Sequence, residues 1–375
     1  FRPFLTCAKR RACGFSAGSS TLMRKIGFLL SFCGGSFLRR QFFSIDVAKF
    51  VCALLVIIIH TSPFSGTSDI LDFYLSDVIA RVAVPLFFSI SGYFFFNSLS
   101  YKNGKIVNCS SNRKRLFRYL KRIGTIYVGF ALFYIILQLP DWYRTGWWGM
   151  TALKDSLVAF FFSGSYYHLW YLLALIYALP LAYLFFSCVS TRYCGVVIPV
   201  LWAFECLLYS YDWIGLTASP ALNWLTSHFP IVFDAVFRAI PLLGIGIAEA
   251  IYPFQHINRT RCYAALSVAA CIAEASVLHF CTPNNERYSY LIFTPVMAYF
   301  VLQMLLQMTT KEHPVLGKQL RNSSLLIYCI HPFFIDIFTS AGVTSPILLW
   351  LLVTTLSIVV SLLWAISRIN KQKTT

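Results

Sequence analysis

Residues 43–63 read FSIDVAKFVCALLVIIIHTSP, a stretch whose charged or imidazole side chains are Asp46, Lys49 and His60. A helix needs about 20 mostly apolar residues to cross roughly 30 Å of hydrocarbon at 1.5 Å per residue. Because lipid offers no hydrogen bonds to backbone amides, such a run is a helix that pairs its own N–H and C=O groups. The same reading recurs at 78–99, 123–140, 166–187, 194–211, 231–252, 262–280, 288–308, 323–340 and 345–366. The chain therefore reads as all-α, a polytopic transmembrane helical bundle of about ten spans. Composition agrees: 58% of the 375 residues are hydrophobic and 12% charged, against about 25% charged in soluble domains. The net charge of +17 does not indicate nucleic acid, since a nucleic-acid surface needs its basic residues on a solvated face. The apolar content also excludes disorder.

The positions of Lys and Arg orient the bundle. With the N-terminus inside, 25 of the 31 fall in interior segments, chiefly residues 1–42 and 100–122. Three, Arg144, Lys154 and Arg287, fall in exterior loops, and three, Lys49, Arg81 and Arg238, lie within spans. Both termini are therefore expected to be cytoplasmic. Residues 1–42 read as a basic cytoplasmic leader outside the fold, with Met23 a candidate start, 43–366 as the membrane domain and 367–375 as a cytoplasmic tail. The basic stretch 102–122 reads as a topology anchor touching anionic lipid, or as a landing strip for an anionic cytosolic cofactor. Twelve cysteines are scattered through apolar runs with no CxxC pair, so neither a disulfide framework nor a metal site is expected.

Ionisable groups inside a membrane are costly, so each is a functional candidate. Lys49 and His60 are eleven residues apart, three helical turns plus about 20°, and share a face roughly 16 Å apart along the axis. Asp46 lies one turn below Lys49 on that face and is its expected partner. The second span, RVAVPLFFSISGYFFF from Arg81, enters at a depth comparable with His60 and carries the small residues Ser89, Ser91 and Gly92. The sixth carries Asp234 and Arg238 at i,i+4, the fourth opens His168-Leu169-Trp170, and the ninth contains Tyr328, His331 and Pro332. Each also has a structural reading. Lys49 could snorkel beside Asp46, small residues allow close helix packing, Asp234 and Arg238 form an intrahelical pair, and His168-Trp170 belongs to an interfacial aromatic belt.

Five pieces in order, SIDVAKFVCALLVIIIH (44–60), RVAVPLFFSISGYFF (81–95), HLWYLLALIYALPL (168–181), FRAIPLLGIG (237–246) and LLIYCIHPFFI (325–335), resemble acyltransferase family 3. These are integral membrane O-acyltransferases of the O-antigen and exopolysaccharide acetylase type. The first piece matches the family's basic-x10-His pattern through Lys49 and His60, with Lys where many members have Arg. The resemblance implies a cell-membrane enzyme moving an acyl group, usually acetyl, from cytosolic acyl-CoA to a hydroxyl of a cell-envelope glycan or lipid-linked sugar. It implies His60 and Arg81 as catalytic. Such chemistry needs a base for the hydroxyl proton and donors for an oxyanion. Neutral imidazole is available near pH 7, and guanidinium stays charged. Lys49, Asp46 and Arg238 are then expected at the acyl-CoA, and His168, Trp170, Ser91 and His331 at the acceptor, with no metal.

The chain is also similar to the membrane half of vancomycin-resistance serine racemases, which carry a C-terminal pyridoxal-phosphate domain. With the sequence stopping at Thr375, racemase chemistry is expected to be absent, and the alternative is a transporter of a small polar solute such as serine. The exterior stretch PDWYRTGWWGMTALKDS (140–156) could stack on a sugar or form an interfacial belt.

Overall fold

The structure, a computed structural model, describes residues 42–147, 149–211, 219–253, 257–281, 290–308 and 313–374, with the side chains of 141, 257–258 and 368–374 excepted. The leader with its basic clusters and Met23 lies outside the described residues, as do Arg287, Lys311 and the side chains of Arg368, Lys371 and Lys373.

Nine helices are long and apolar enough to cross a membrane among the described residues: α1 (Phe43–Thr61), α2 (Asp69–Phe96), α3 (Ser110–Thr145), α5 (Trp170–Cys188), α6 (Thr191–Tyr209), α8 (Pro230–Ile251), α9 (Ile257–Cys281), α11 (Pro314–Ser340) and α12 (Pro346–Thr374). Two short helices, α4 (Met150–Phe162) and α7 (Pro220–His228), occupy stretches expected to be exterior loops. The expected eighth span is the fourteen-residue α10 (Thr294–Gln307). At about 21 Å it falls short of a full hydrocarbon crossing, yet its segment still traverses the bundle. Tyr290, before it, packs against Arg238, and Leu305, near its end, accepts a hydrogen bond from Ser44 at the start of α1 (2.7 Å). Among the described residues the chain thus has nine helices of spanning length and one shorter apolar helix where the tenth was expected.

The helices exceed the apolar runs where polar residues find partners. Helix α3 begins at Ser110, so the basic residues 113–122 form its first turns, carried on an axis of about 54 Å. Before it, β1 (Tyr101–Lys102) and β2 (Lys105–Ile106) make a hairpin. The hairpin docks on the α5–α6 turn through Thr191 N–H donating to Gly104 C=O (2.7 Å). Helix α11 begins at Pro314 rather than near 323, which places Lys318 and Arg321 in its first turns. The ends carrying these residues define a basic end of the bundle.

Three helix pairings dominate the packing. Helices α2 and α8 meet backbone to backbone, because a Cβ on Gly92 would lie 2.5 Å from Leu243 C=O and one on Gly246 2.2 Å from Tyr93 N. Small residues permit this approach, which in lipid gains dispersion and tightness without a hydrophobic drive. Helix α11 packs along both α1 and α12. Its ties to α1 include a bidentate pair, Arg321 Nε to Asp46 Oδ1 (2.8 Å) and Nη2 to Oδ2 (2.7 Å). Asp46, expected to pair with Lys49, is held here by Arg321: the longer α11 brings a planar fork to the carboxylate, a geometry Lys cannot match.

Candidate functional site

Three departures from α-helical geometry shape the far half of the bundle. Residues Phe73–Ile79 within α2 and Asp234–Ala239 within α8 are π-helical, and Ala80–Val82 is 3₁₀. A π turn accommodates an extra residue and re-aims the side chains around it. Each π turn delivers an arginine, Arg81 just after the first and Arg238 within the second.

Both arginines line one cavity of about 120 Å³ together with His60, His168, Trp170 and Tyr290. Tyr171, Trp202 and Tyr328 complete its aromatic wall. His60 projects from the last turn of α1. Its ring stands edge-on to Tyr167 (4.8 Å between centroids) and stacks on His331 (5.4 Å). His331 in turn lies 5.4 Å from the ring of His168. Its Nδ1 sits 3.1 Å from Ile327 C=O, which assigns the proton to Nδ1 and leaves Nε2 a bare acceptor. Tyr328 O–H donates to His168 C=O, and Tyr134 O–H to Cys329 C=O (2.8 Å). His331 is thus held by a backbone carbonyl as well as by rings, and the imidazoles of His60 and His168 by neighbouring rings.

The arginines differ in how fully they are engaged. Arg81 Nη2 donates to Asp77 Oδ1 (3.0 Å), while its Nε has no hydrogen-bond partner and the side chain is 28% exposed. Arg238 is enclosed. Its Nε and Nη2 meet Glu205 Oε1 (2.8 and 2.7 Å), and its Nη1 meets Asp234 Oδ1 (2.6 Å). The rings of Tyr290, Trp170 and Tyr209 stand 4.1, 4.9 and 5.6 Å from the guanidinium carbon. Such charge-assisted bonds in a low-dielectric site are strong and directional.

Tyr290 reaches Arg238 because its turn is pinned from two helices. Glu274 on α9 accepts from Ile292 N–H (2.6 Å), Phe293 N–H (3.1 Å) and Tyr211 O–H (2.6 Å). Trp202 Nε1–H donates to Leu291 C=O (2.8 Å), and Tyr290 N–H to Ser210 Oγ (3.0 Å). A carboxylate at the first amides of α10 also opposes the positive end of that helix.

The expected site residues thus fall into two groups. His60, Arg81, Arg238, His168 and Trp170 share the cavity, with His331 behind His60. Lys49 and Asp46 lie toward the basic end, where Lys49 Nζ stands 5.1 Å above the Phe94 ring, so Arg238 is separated from the two residues grouped with it at the acyl-CoA. Ser91 lies between the groups, its Oγ 3.3 Å from Tyr171 O–H. Asp77, Glu205 and Tyr290 were not anticipated. A census of acidic as well as basic residues within the spans finds Glu205, whereas Tyr290 lacks a distinguishing signal in the sequence. Among the described residues no group of three or more His, Cys, Asp or Glu side chains is placed to hold a metal ion.

A membrane bundle with a buried imidazole and paired arginines around one cavity matches what comparison with known proteins finds. The acyltransferase domain model matches residues 42–366, and the chain belongs to acyltransferase family 3. It is 30% identical over 324 residues to an amino-acid racemase of Enterococcus faecalis, covering 81% of this chain and 42% of that protein. It is 28% identical over 311 residues to a serine/alanine racemase of Enterococcus gallinarum, covering 78% of this chain and 40% of that protein. The chain thus spans about two fifths of the length of these curated relatives. No solved structure matches it.

Proposed function

We propose that this membrane acyltransferase moves an acyl group, acetyl in the first instance, from cytosolic acyl-CoA to a hydroxyl of a cell-envelope glycan or its lipid-linked precursor at the cell membrane. The carrying observation is that His60, the family-pattern histidine, shares a cavity with Arg81, whose Nε is unengaged. His60 takes the proton of the acceptor hydroxyl as its oxygen attacks the thioester carbonyl. The charge that develops on the carbonyl oxygen is met by Arg81 N–H groups. The C–S bond then breaks, and the imidazolium returns its proton to the departing thiolate. Lys49, about 16 Å along α1 from His60, and the basic first turns of α3 supply cations on the side where the nucleotide end of acyl-CoA would lie. The aromatic wall of Trp170, Tyr171 and Tyr290 suits stacking on a sugar ring. The test is acyl transfer by the purified protein in lipid nanodiscs supplied with radiolabelled acetyl-CoA, paired with mass spectrometry of envelope polymers from a deletion strain. Transfer that persists in His60→Ala refutes the mechanism.

A second reading, transport of a small polar solute such as serine, is favoured by the racemase relatives, whose names place amino acids among their substrates. Arginine and carboxylate groups around one cavity would serve a zwitterion. Counterflow of labelled serine without any CoA compound supports transport, and acetyl transfer that requires acetyl-CoA supports the enzyme.

A further inference from the structure

Beneath its polar groups the cavity has an aliphatic wall. Val56 stands four residues before His60 on α1, Pro85 four after Arg81 on α2, and Leu242 four after Arg238 on α8, and all three line the cavity. Helix α1 runs away from the basic end, where Asp46 meets Arg321. Helix α2 runs toward it, bringing Phe94 under Lys49. Helix α8 follows α2 in the same direction, with Leu243 against Gly92 and Gly246 against Tyr93. Each polar side chain therefore has an aliphatic one about a turn, roughly 6 Å, nearer the basic end. Val84 extends this wall, and the three helices that build it are described along their whole length.

The wall is tight as well as apolar. Val56 and Leu242 are buried, and Leu242 adjoins the backbone contact of α8 with α2, where a Cβ on Gly92 would already lie 2.5 Å from Leu243 C=O. That contact leaves Leu242 no room to retreat. The cavity of about 120 Å³ is smaller than the roughly 150 Å³ that accommodates a benzene ring in an engineered apolar cavity. An acetyl group needs less space than such a ring. A hexanoyl group has as many carbons as the ring before its carbonyl oxygen and the sulfur are added.

We infer that the wall of Val56, Pro85 and Leu242 sets the length of the acyl group, admitting acetyl and excluding chains as long as hexanoyl, with Leu242 the residue that closes it. The inference rests on the acyltransferase reading, which brings a thioester carbonyl between His60 and Arg81 and so lays its acyl chain against the aliphatic side chains one turn away. In an apolar pocket each methylene changes discrimination by about 10–200-fold, and a wall that cannot move turns added methylenes into a penalty.

The experiment uses the full chain in nanodiscs with acetyl-CoA and hexanoyl-CoA, which differ only in the length of the acyl chain. Equilibrium binding, corrected for empty nanodiscs, and acyl transfer to envelope glycan are both measured, for the wild type and for Leu242→Ala, which removes three carbons from the wall. Binding of acetyl-CoA at least tenfold tighter than hexanoyl-CoA, with the gap narrowed at least about fivefold in Leu242→Ala, is the expected result. Equal or tighter binding of hexanoyl-CoA by the wild type, binding of neither thioester, or a gap that Leu242→Ala leaves unchanged overturns the inference. Transfer of both acyl groups at equal rates also overturns it and leaves the acyltransferase reading standing. The expected ranking in binding without any transfer sustains the inference and counts against that reading, so the two fail separately. If Leu242→Ala does not fold, Val56→Ala serves as the wall-shortening variant with the same expected narrowing.

Discussion

Replacing Arg238 by Met removes the guanidinium while keeping a long apolar side chain. It strands Glu205, fully buried, and Asp234, whose side chain is 15% exposed, without the cation that both contact at 2.6–2.8 Å. Breaking a buried ion pair from one side costs roughly 3–5 kcal/mol, because the remaining charge is neither solvated nor paired. Losing the contacts with three aromatic faces adds about 1 kcal/mol. A loss of about 4–6 kcal/mol corresponds to a fall in apparent Tm of roughly 8–24 °C at 2–4 °C per kcal/mol. Substituting Glu205 by Leu as well removes the more buried of the stranded carboxylates. The double variant Arg238→Met/Glu205→Leu is therefore expected to be more stable than Arg238→Met alone, a favourable coupling of about 2 kcal/mol. The assay is heat denaturation in detergent followed by intrinsic tryptophan fluorescence, with all variants at one scan rate because unfolding of such proteins is seldom reversible. A double variant that melts at or below the single variant, or Arg238→Met within 2 °C of wild type, refutes the account of Arg238 as an enclosed, charge-neutralised post.

Three shorter predictions follow from other parts of the bundle. Gly246→Ala puts a methyl 2.2 Å from Tyr93 N and 2.4 Å from Ser89 C=O, so the yield of monodisperse protein on size exclusion falls sharply. Gly244→Ala, whose Cβ meets the side chain of Ile198 at 3.0 Å or more, retains most of it. In a double-mutant cycle by thermal shift, Asp46 and Arg321 couple by about 1–2 kcal/mol, discounted because Arg321 is 39% exposed. Lys49→Ala leaves that coupling unchanged, and a coupling that vanishes in Lys49→Ala contradicts the Asp46–Arg321 assignment. His60→Ala lowers the rate of acetyl transfer by about 10²–10⁴, whereas His331→Phe, which preserves a stacked ring, keeps it within about tenfold. A comparable loss in both variants would show that His331 handles a proton.

The bundle was legible because lipid imposes one solution on an apolar run, and the length of the run tells how far that solution extends. What the apolar runs did not disclose was where helices continue past them. Helix α11 gains its first turns because Arg321 finds Asp46, a contact 275 positions apart in sequence that no window of residues reveals. The π turns at 73–79 and 234–239 were equally hidden, since they satisfy the same hydropathy as an α-helix and differ by one residue of register. In the site, His60 and Arg81 stood out as polar residues in apolar surroundings. Glu205 shares that signal, and Tyr290 is one of 21 tyrosines until the turn pinned by Glu274 brings it to Arg238.

The backbone contact at Gly92 and Gly246 has a mechanical corollary. It welds α2 to α8, so the two arginines travel as passengers of a single body. The imidazoles of His60 and His331 ride on α1 and α11, clamped at their base by Asp46 and Arg321, and α1 also packs along α2. Any molecule that touches His60 and Arg81 together bridges α1 and α2. One spin label on α1 and another on α8 would test whether its arrival changes the distance between them.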